Sequence, residues 1–131
     1  MGASEVVIKA TGDDTGGAFF VAEVVLEAGF PGPPRHFRER LHETIYLLEG
    51  ELTMTLGDEV ALLAPGAFAP IPPGVLHTFH NDGAQPVRGL NVNAPAGWEH
   101  YLRELAAAAG AGGLRPELMV EIASRHDFHP A

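Results

Sequence analysis

The sequence predicts an all-β fold, a small antiparallel barrel or sandwich followed by short C-terminal helices. Two patterns carry that reading. Short runs of β-forming residues recur at near-regular spacing, and the 16 glycines and 11 prolines punctuate them with tight turns. Helical periodicity is confined to the last third of the chain. In order, the runs are Glu5–Lys9, Ala18–Leu26, Glu43–Leu48, Leu52–Leu56, Val60–Leu63, Ala67–Ile71, Val75–His80 and Val87–Asn93. Between them stand Gly32-Pro33-Pro34, Glu49-Gly50, Gly57-Asp58, Pro65-Gly66, Pro73-Gly74 and Asp82-Gly83. From Gly97 onward, Trp98, Tyr101, Leu102 and Leu105 fall at i, i+3, i+4 and i+7, an apolar helical stripe. Gly110, Gly112 and Gly113 should end that helix. A second begins with Pro116 and carries Leu118, Val120 and Ile122. Trp98 and Tyr101 read as packing residues, and His126 and His129 as part of a mobile polar tail.

Composition bounds the function. The 131 residues form one domain, with a barrel over about 5–94 and a helical segment over about 97–125. With 46% hydrophobic and 19% charged residues, the chain is globular rather than disordered. The absence of cysteine excludes disulfides, thiolate catalysis and cysteine-ligated zinc. A net charge of −9 argues against nucleic acid and anionic lipid as partners. The start, Met1-Gly2-Ala3-Ser4-Glu5, lacks the basic and apolar regions of a signal peptide. The uncharged stretch Val60–Leu76 contains four prolines and reads as no membrane helix. The expectation is a soluble, cytoplasmic protein without a membrane partner.

Two histidine-bearing segments stand out. The first runs from Pro33 to Gly50 and holds His36, Arg38 and Glu43; the second runs from Gly66 to Asn81 and holds His77. Side chains alternate across a strand, so His36 and Arg38 share a face, as do Glu43, Ile45 and Leu47, and His77 and Phe79. His42 and His80 should face the other way. Two imidazoles and a carboxylate on inward faces suit Fe, Mn, Ni, Cu or Zn. Phe20, Phe68 and Phe79 read equally as an apolar pocket wall or as core packing. No phosphate loop, dinucleotide fingerprint or nucleophile elbow is present.

At these residues the chain resembles the cupin superfamily, whose motifs are G(X)5HXH(X)3–4E(X)6G and G(X)5PXG(X)2H(X)3N. The second is matched throughout by Gly66, Pro72, Gly74, His77 and Asn81. In the first, His36, Glu43 and Gly50 are in place, while the upstream glycine falls one residue early, at Gly29. The resemblance covers about residues 18–94, and Pro95-Ala96-Gly97 with the following helix is similar to small quercetin-dioxygenase-type members. It implies a double-stranded β-helix, the cupin jelly-roll barrel, with its site inside. Cupins commonly pair through their sheets. Together with the two apolar faces of Ala18–Leu26, this implies a homodimer.

The departure lies at Arg38, where the family's second histidine falls; guanidinium cannot ligate a metal. One outcome is a facial triad of His36, Glu43 and His77 holding a divalent metal, with Arg38 and the aromatic rings of Phe68 and Phe79 binding substrate. That form is an oxygenase-type enzyme for an organic small molecule with enol, phenol or carboxylate oxygens. The other outcome is a metal-free pocket in which Arg38 pairs with Glu43. Glu43 or His77 then serves as base in an isomerase, dehydratase or polyketide-type cyclase, or the pocket only binds a small molecule.

Overall fold

Turn residues cut the apolar runs to strand length, and the strands pair antiparallel. The computed structural model describes residues 4–131. Met1–Ala3, part of the start read above for targeting signals, lie outside them. The chain forms β1 (Ser4–Ala10), α1 (Gly12–Thr15), β2 (Phe20–Leu26), β3 (His36–Phe37), β4 (His42–Glu49), β5 (Leu52–Leu56) and β6 (Glu59–Leu63). It continues through β7 (Phe68–Ile71), β8 (His77–His80), β9 (Val87–Ala94), α2 (Trp98–Gly112), α3 (Pro116–Ala123) and β10 (His129–Pro130). One five-stranded sheet has the order β1-β2-β9-β4-β7, and the other β10-β3-β8-β5-β6. The predicted jelly roll is what forms. Among the described residues, no helix is long and apolar enough to cross a membrane.

The barrel interior is graded along its length. Leu26, Ile45, Leu47, Ala69, Ile71 and Val87 of the first sheet close one end against Leu52 and Met54 of the second. Along β4 the inward residues pass from Glu43 to Ile45 and Leu47. Along β9 they pass the other way, from Val87 to Asn93. Because β4 and β9 run antiparallel with Glu43 opposite Asn93, their polar inward residues meet at the same end. An apolar floor thus lies beneath a polar upper barrel.

The motif residues outside the site are structural. Asn81 donates its side-chain amide to the carbonyls of Leu26, Glu27 and Gln85 and accepts the Gly83 N–H. It ties the end of β2 to the turn before β9. Gly50 has φ +84°, and a Cβ there would stand 2.6 Å from the Pro86 carbonyl oxygen, so only glycine fits.

Four expectations need correction. Gly110 and Gly112 lie inside α2, and only Gly113 caps it; the run Ala106–Ala109 is a strong enough helix former to carry the chain past one glycine. The short helix α1 had no apolar period to reveal it, and is instead set by a capping box between Thr11 and Asp14. The strand expected from Val75 starts at His77, because Gly74 takes φ +86°. The supposedly mobile tail pairs as a strand, with His129 opposite Phe37 and Pro130 opposite His36.

Candidate metal centre

Pro33 and Pro34 stiffen the approach to β3, and Thr78 Oγ1 donates to the Pro33 carbonyl at 2.6 Å. This seats His36 directly opposite His77 on β8. Glu43 enters from the other sheet, between Ile71 of β7 and Asn93 of β9. One ligating atom from each of His36, Glu43 and His77 lies within 4.8 Å of the others. All three residues are buried, at 5% exposure or less.

The backbone fixes which nitrogen faces the centre. His36 Nδ1 lies 2.8 Å from the Pro34 carbonyl oxygen, and His77 Nδ1 lies 2.9 Å from that of Val75. A carbonyl only accepts, so both Nδ1 atoms carry protons and both Nε2 atoms are left for the interior. His36 Nε2 is buried and has no hydrogen-bond partner among the described residues. His77 Nε2 lies 3.2 Å from Glu43 Oε1. Unless a proton or cation lies between them, that contact sets a lone pair against a carboxylate. A divalent cation satisfies all three groups at once, so the donor set fits a metal.

Electrostatics keep His36 neutral and Glu43 ionised, their ligating forms. Burial, reinforced by the His77 and Arg38 charges, lowers the His36 pKa from 6.5 to about 4 against the opposing Pro34 hydrogen bond. Burial alone would raise Glu43. The His77 hydrogen bond, the Arg38 charge and the Asn91 amide outweigh it and hold the carboxyl at about 2. Asn91 donates to Glu43 Oε2 at 2.8 Å, and Asn93 donates to Asn91 Oδ1 at 2.6 Å. Neither asparagine is among the candidates named above. Their alternation on the predicted strand Val87–Asn93 was the available signal: two amides on the face that otherwise carries only Val87 and Gly89.

Arg38 sits beside this centre rather than in it. Its Nε is 3.8 Å from Glu43 Oε1, with no hydrogen bond. The guanidinium instead lies 4.0 Å over the Trp98 ring and 5.2 Å from that of Phe128, and donates to the Asp127 carbonyl at 3.3 Å. Phe79 faces inward and packs on the apolar core. Phe68 is 66% exposed on the outer face of β7, where Ala69 and Ile71 take the inward positions, so it does not line the interior. His42 is exposed, and His80 pairs with Asp82 at 2.9 Å. The tail holds two residues that sequence reasoning missed, Asp127 and Phe128. Phe128 stacks on His36 with centroids 4.0 Å apart. No periodicity marked it.

The family model for the cupin domain matches residues 22–93. The chain belongs to the cupin family. Over 81 residues this cupin is 38% identical to quercetin 2,3-dioxygenase of Bacillus subtilis, covering 60% of this chain but only 23% of that protein. It is also similar to the polyketide cyclase RemF from Streptomyces resistomycificus, with 29% identity and a TM-score of 0.61 over 70% of this chain and 64% of that one. KdgF from Halomonas sp. shares the fold at 18% identity, with a TM-score of 0.65 over 74% of this chain and 83% of that one.

Proposed function

We propose that this cupin is a divalent-metal-dependent enzyme of the oxygenase type, acting on an organic small molecule with enol, phenol or carboxylate oxygens. The observation that carries the reading is the pair of histidines whose Nδ1 atoms are engaged by backbone carbonyls, which leaves His36 Nε2, unpartnered among the described residues, and the His77 Nε2 that meets Glu43 at 3.2 Å in one buried cluster. Such pinning is the usual way a protein orients imidazole ligands. His36, Glu43 and His77 hold the metal, which supplies Lewis acidity and, for a redox-active ion, a route to oxygen chemistry. Asn91, supported by Asn93, fixes the plane of the Glu43 carboxylate. Arg38 stands beside the centre, where its charge holds an anionic oxygen of the substrate. The wall made by Trp98 and the apolar floor keeps water from the reacting groups. The similarity to quercetin 2,3-dioxygenase agrees with this reading.

A second reading has its own support. The close His77–Glu43 contact can hold a proton, with Arg38 near enough to stabilise an enolate, and the polyketide cyclase RemF is a similar protein. The chain would then be a metal-free isomerase, dehydratase or cyclase. Oxygen uptake in the presence of iron, manganese, nickel or copper, measured against a panel of flavonols, diketones and phenols, separates the two. Uptake that vanishes in His77→Ala supports the first. Substrate conversion without uptake, unaffected by chelator, supports the second.

A further inference from the structure

We propose that residues 127–130 form a displaceable plug, in which Phe128 occupies on His36 and Arg38 the place of a planar ring substrate bearing an anionic oxygen. The inference deepens the enzymatic reading above and rests on it. As folded, the centre is closed: His36, Arg38, Glu43 and His77 are all buried, so a substrate enters only if part of the cover moves. Phe128 is the part of the cover that lies directly on His36. Its ring lies nearly parallel to His36, at 21° and 4.0 Å, and 5.2 Å from the Arg38 guanidinium, which also lies 4.0 Å over the Trp98 ring. A flat slot of this kind accepts another flat ring.

The polar atoms of the slot say what Phe128 fails to provide. Arg38 Nε is a buried donor without a hydrogen-bond partner among the described residues. A hydrocarbon ring leaves it unsatisfied, which is costly at this depth. A ring carrying a phenolate or carboxylate oxygen satisfies it directly.

Apart from its ring stacks, the plug is attached by polar contacts that water can replace. The Asp127 carboxylate accepts the N–H groups of Glu39, Arg40 and Leu41 at 2.7, 3.0 and 2.9 Å. Beyond it lie the two-residue strand β10, the stack of His129 on Phe37 at 5.0 Å and a hydrogen bond from Ala131 N to the Arg35 carbonyl. Asp127 itself has φ 61°, the left-handed region that non-glycine residues seldom occupy, and release relaxes it. The preceding residues are anchored. Ile122 and Ala123 are buried, and Arg125 and His126 both engage Glu104 of α2. The hinge therefore follows His126.

The test uses salicylate, a planar ring with adjacent phenol and carboxylate, against cyclohexanecarboxylate, the same charge without a flat ring. Affinities are measured by calorimetry on the whole chain, chelated and metal-loaded, for wild type, Phe128→Ala, Phe128→Leu and Asp127→Asn. Removing the competing ring should tighten salicylate at least 10-fold in either Phe128 variant, and loosening the latch several-fold in Asp127→Asn. Cyclohexanecarboxylate should change less than 3-fold. In wild type, saturating salicylate should speed hydrogen exchange at the amides of Glu39, Arg40 and Leu41 at least 10-fold. Equal or weaker salicylate binding in the Phe128 variants makes the ring a fixed wall and overturns the plug. So does a salicylate complex that keeps those three amides protected. Chelated protein answers both questions, and elemental analysis of the same samples judges the metal reading separately.

Discussion

At Arg38 the family motif has histidine, and the side chain that replaces it turns its guanidinium toward Trp98 and the Asp127 carbonyl rather than into a tight pair with Glu43. The Arg38→His variant replaces a nearby positive charge with a ligand, so metal affinity should rise while turnover of an anionic substrate falls. Competition with a chromogenic chelator reads the first and steady-state kinetics the second; affinity that drops would contradict the placement of Arg38. Asn91 acts through Glu43, so Asn91→Leu should weaken metal binding by about 10–100-fold, the range for groups that orient ligands. Its Asn91→Gln counterpart should recover part of that loss. His36 makes a pH-dependent prediction for chelated protein. Its pKa is lowered from 6.5 to about 4, so the unfolded chain takes up the proton first as pH falls. The stability contributed is full above about pH 6.5 and is lost toward pH 4, about 3 kcal/mol in all. Glu43, lowered from 4.5 to about 2, loses its contribution only below about pH 4.5. The unfolding midpoint of His36→Gln should therefore fall less than that of wild type between pH 6.5 and 4. Parallel curves would show that burial of His36 has no such cost.

At the scale of elements, α2 and the C-terminal strand form the cover of the centre. Trp98 starts α2 and lies on Arg38, and Tyr101 stacks on Trp98 at 4.1 Å. Trp98→Ala should lower stability by roughly 2–4 kcal/mol, from lost burial and a lost cation–π contact, as read by urea unfolding. A loss under 0.5 kcal/mol would mean that α2 does not hold the cover. These elements also show where sequence reading stops. The strands of the barrel were legible because alternation and turn chemistry are local: Glu43 with Ile45 and Leu47, or Gly50 at a turn only glycine can make. His36, Glu43 and His77 were legible because the motif spacing fixes their strands. The reach of Phe128 and Asp127 to β3 and the 39–41 loop was not. It joins residues nearly ninety apart in sequence, and a two-residue strand carries no period. Phe68 failed for the opposite reason. An exposed aromatic on an outer face has the same identity as one lining a pocket, and only the register beside Tyr46 settles its direction.

At the scale of the whole molecule, that register places Phe68, Tyr46 and Leu90 in one row across the outer face of the first sheet, with Val7 beyond Glu23. Phe68, Tyr46 and Val7 are exposed. We propose that this face pairs two copies about a two-fold axis. Light scattering should give twice the chain mass at micromolar concentration and the monomer mass for Phe68→Glu/Tyr46→Glu; a wild-type monomer would contradict it. The central claim is the metal centre, and its most direct measurement is elemental analysis of chain purified without chelator or affinity tag and supplemented in turn with iron, manganese, nickel, copper and zinc. Wild type should carry about one equivalent of at least one of these metals, and His36→Ala, Glu43→Ala and His77→Ala should each lose it while remaining folded. Wild type that stays metal-free under every supplement, or a metal that survives all three substitutions, would contradict the account.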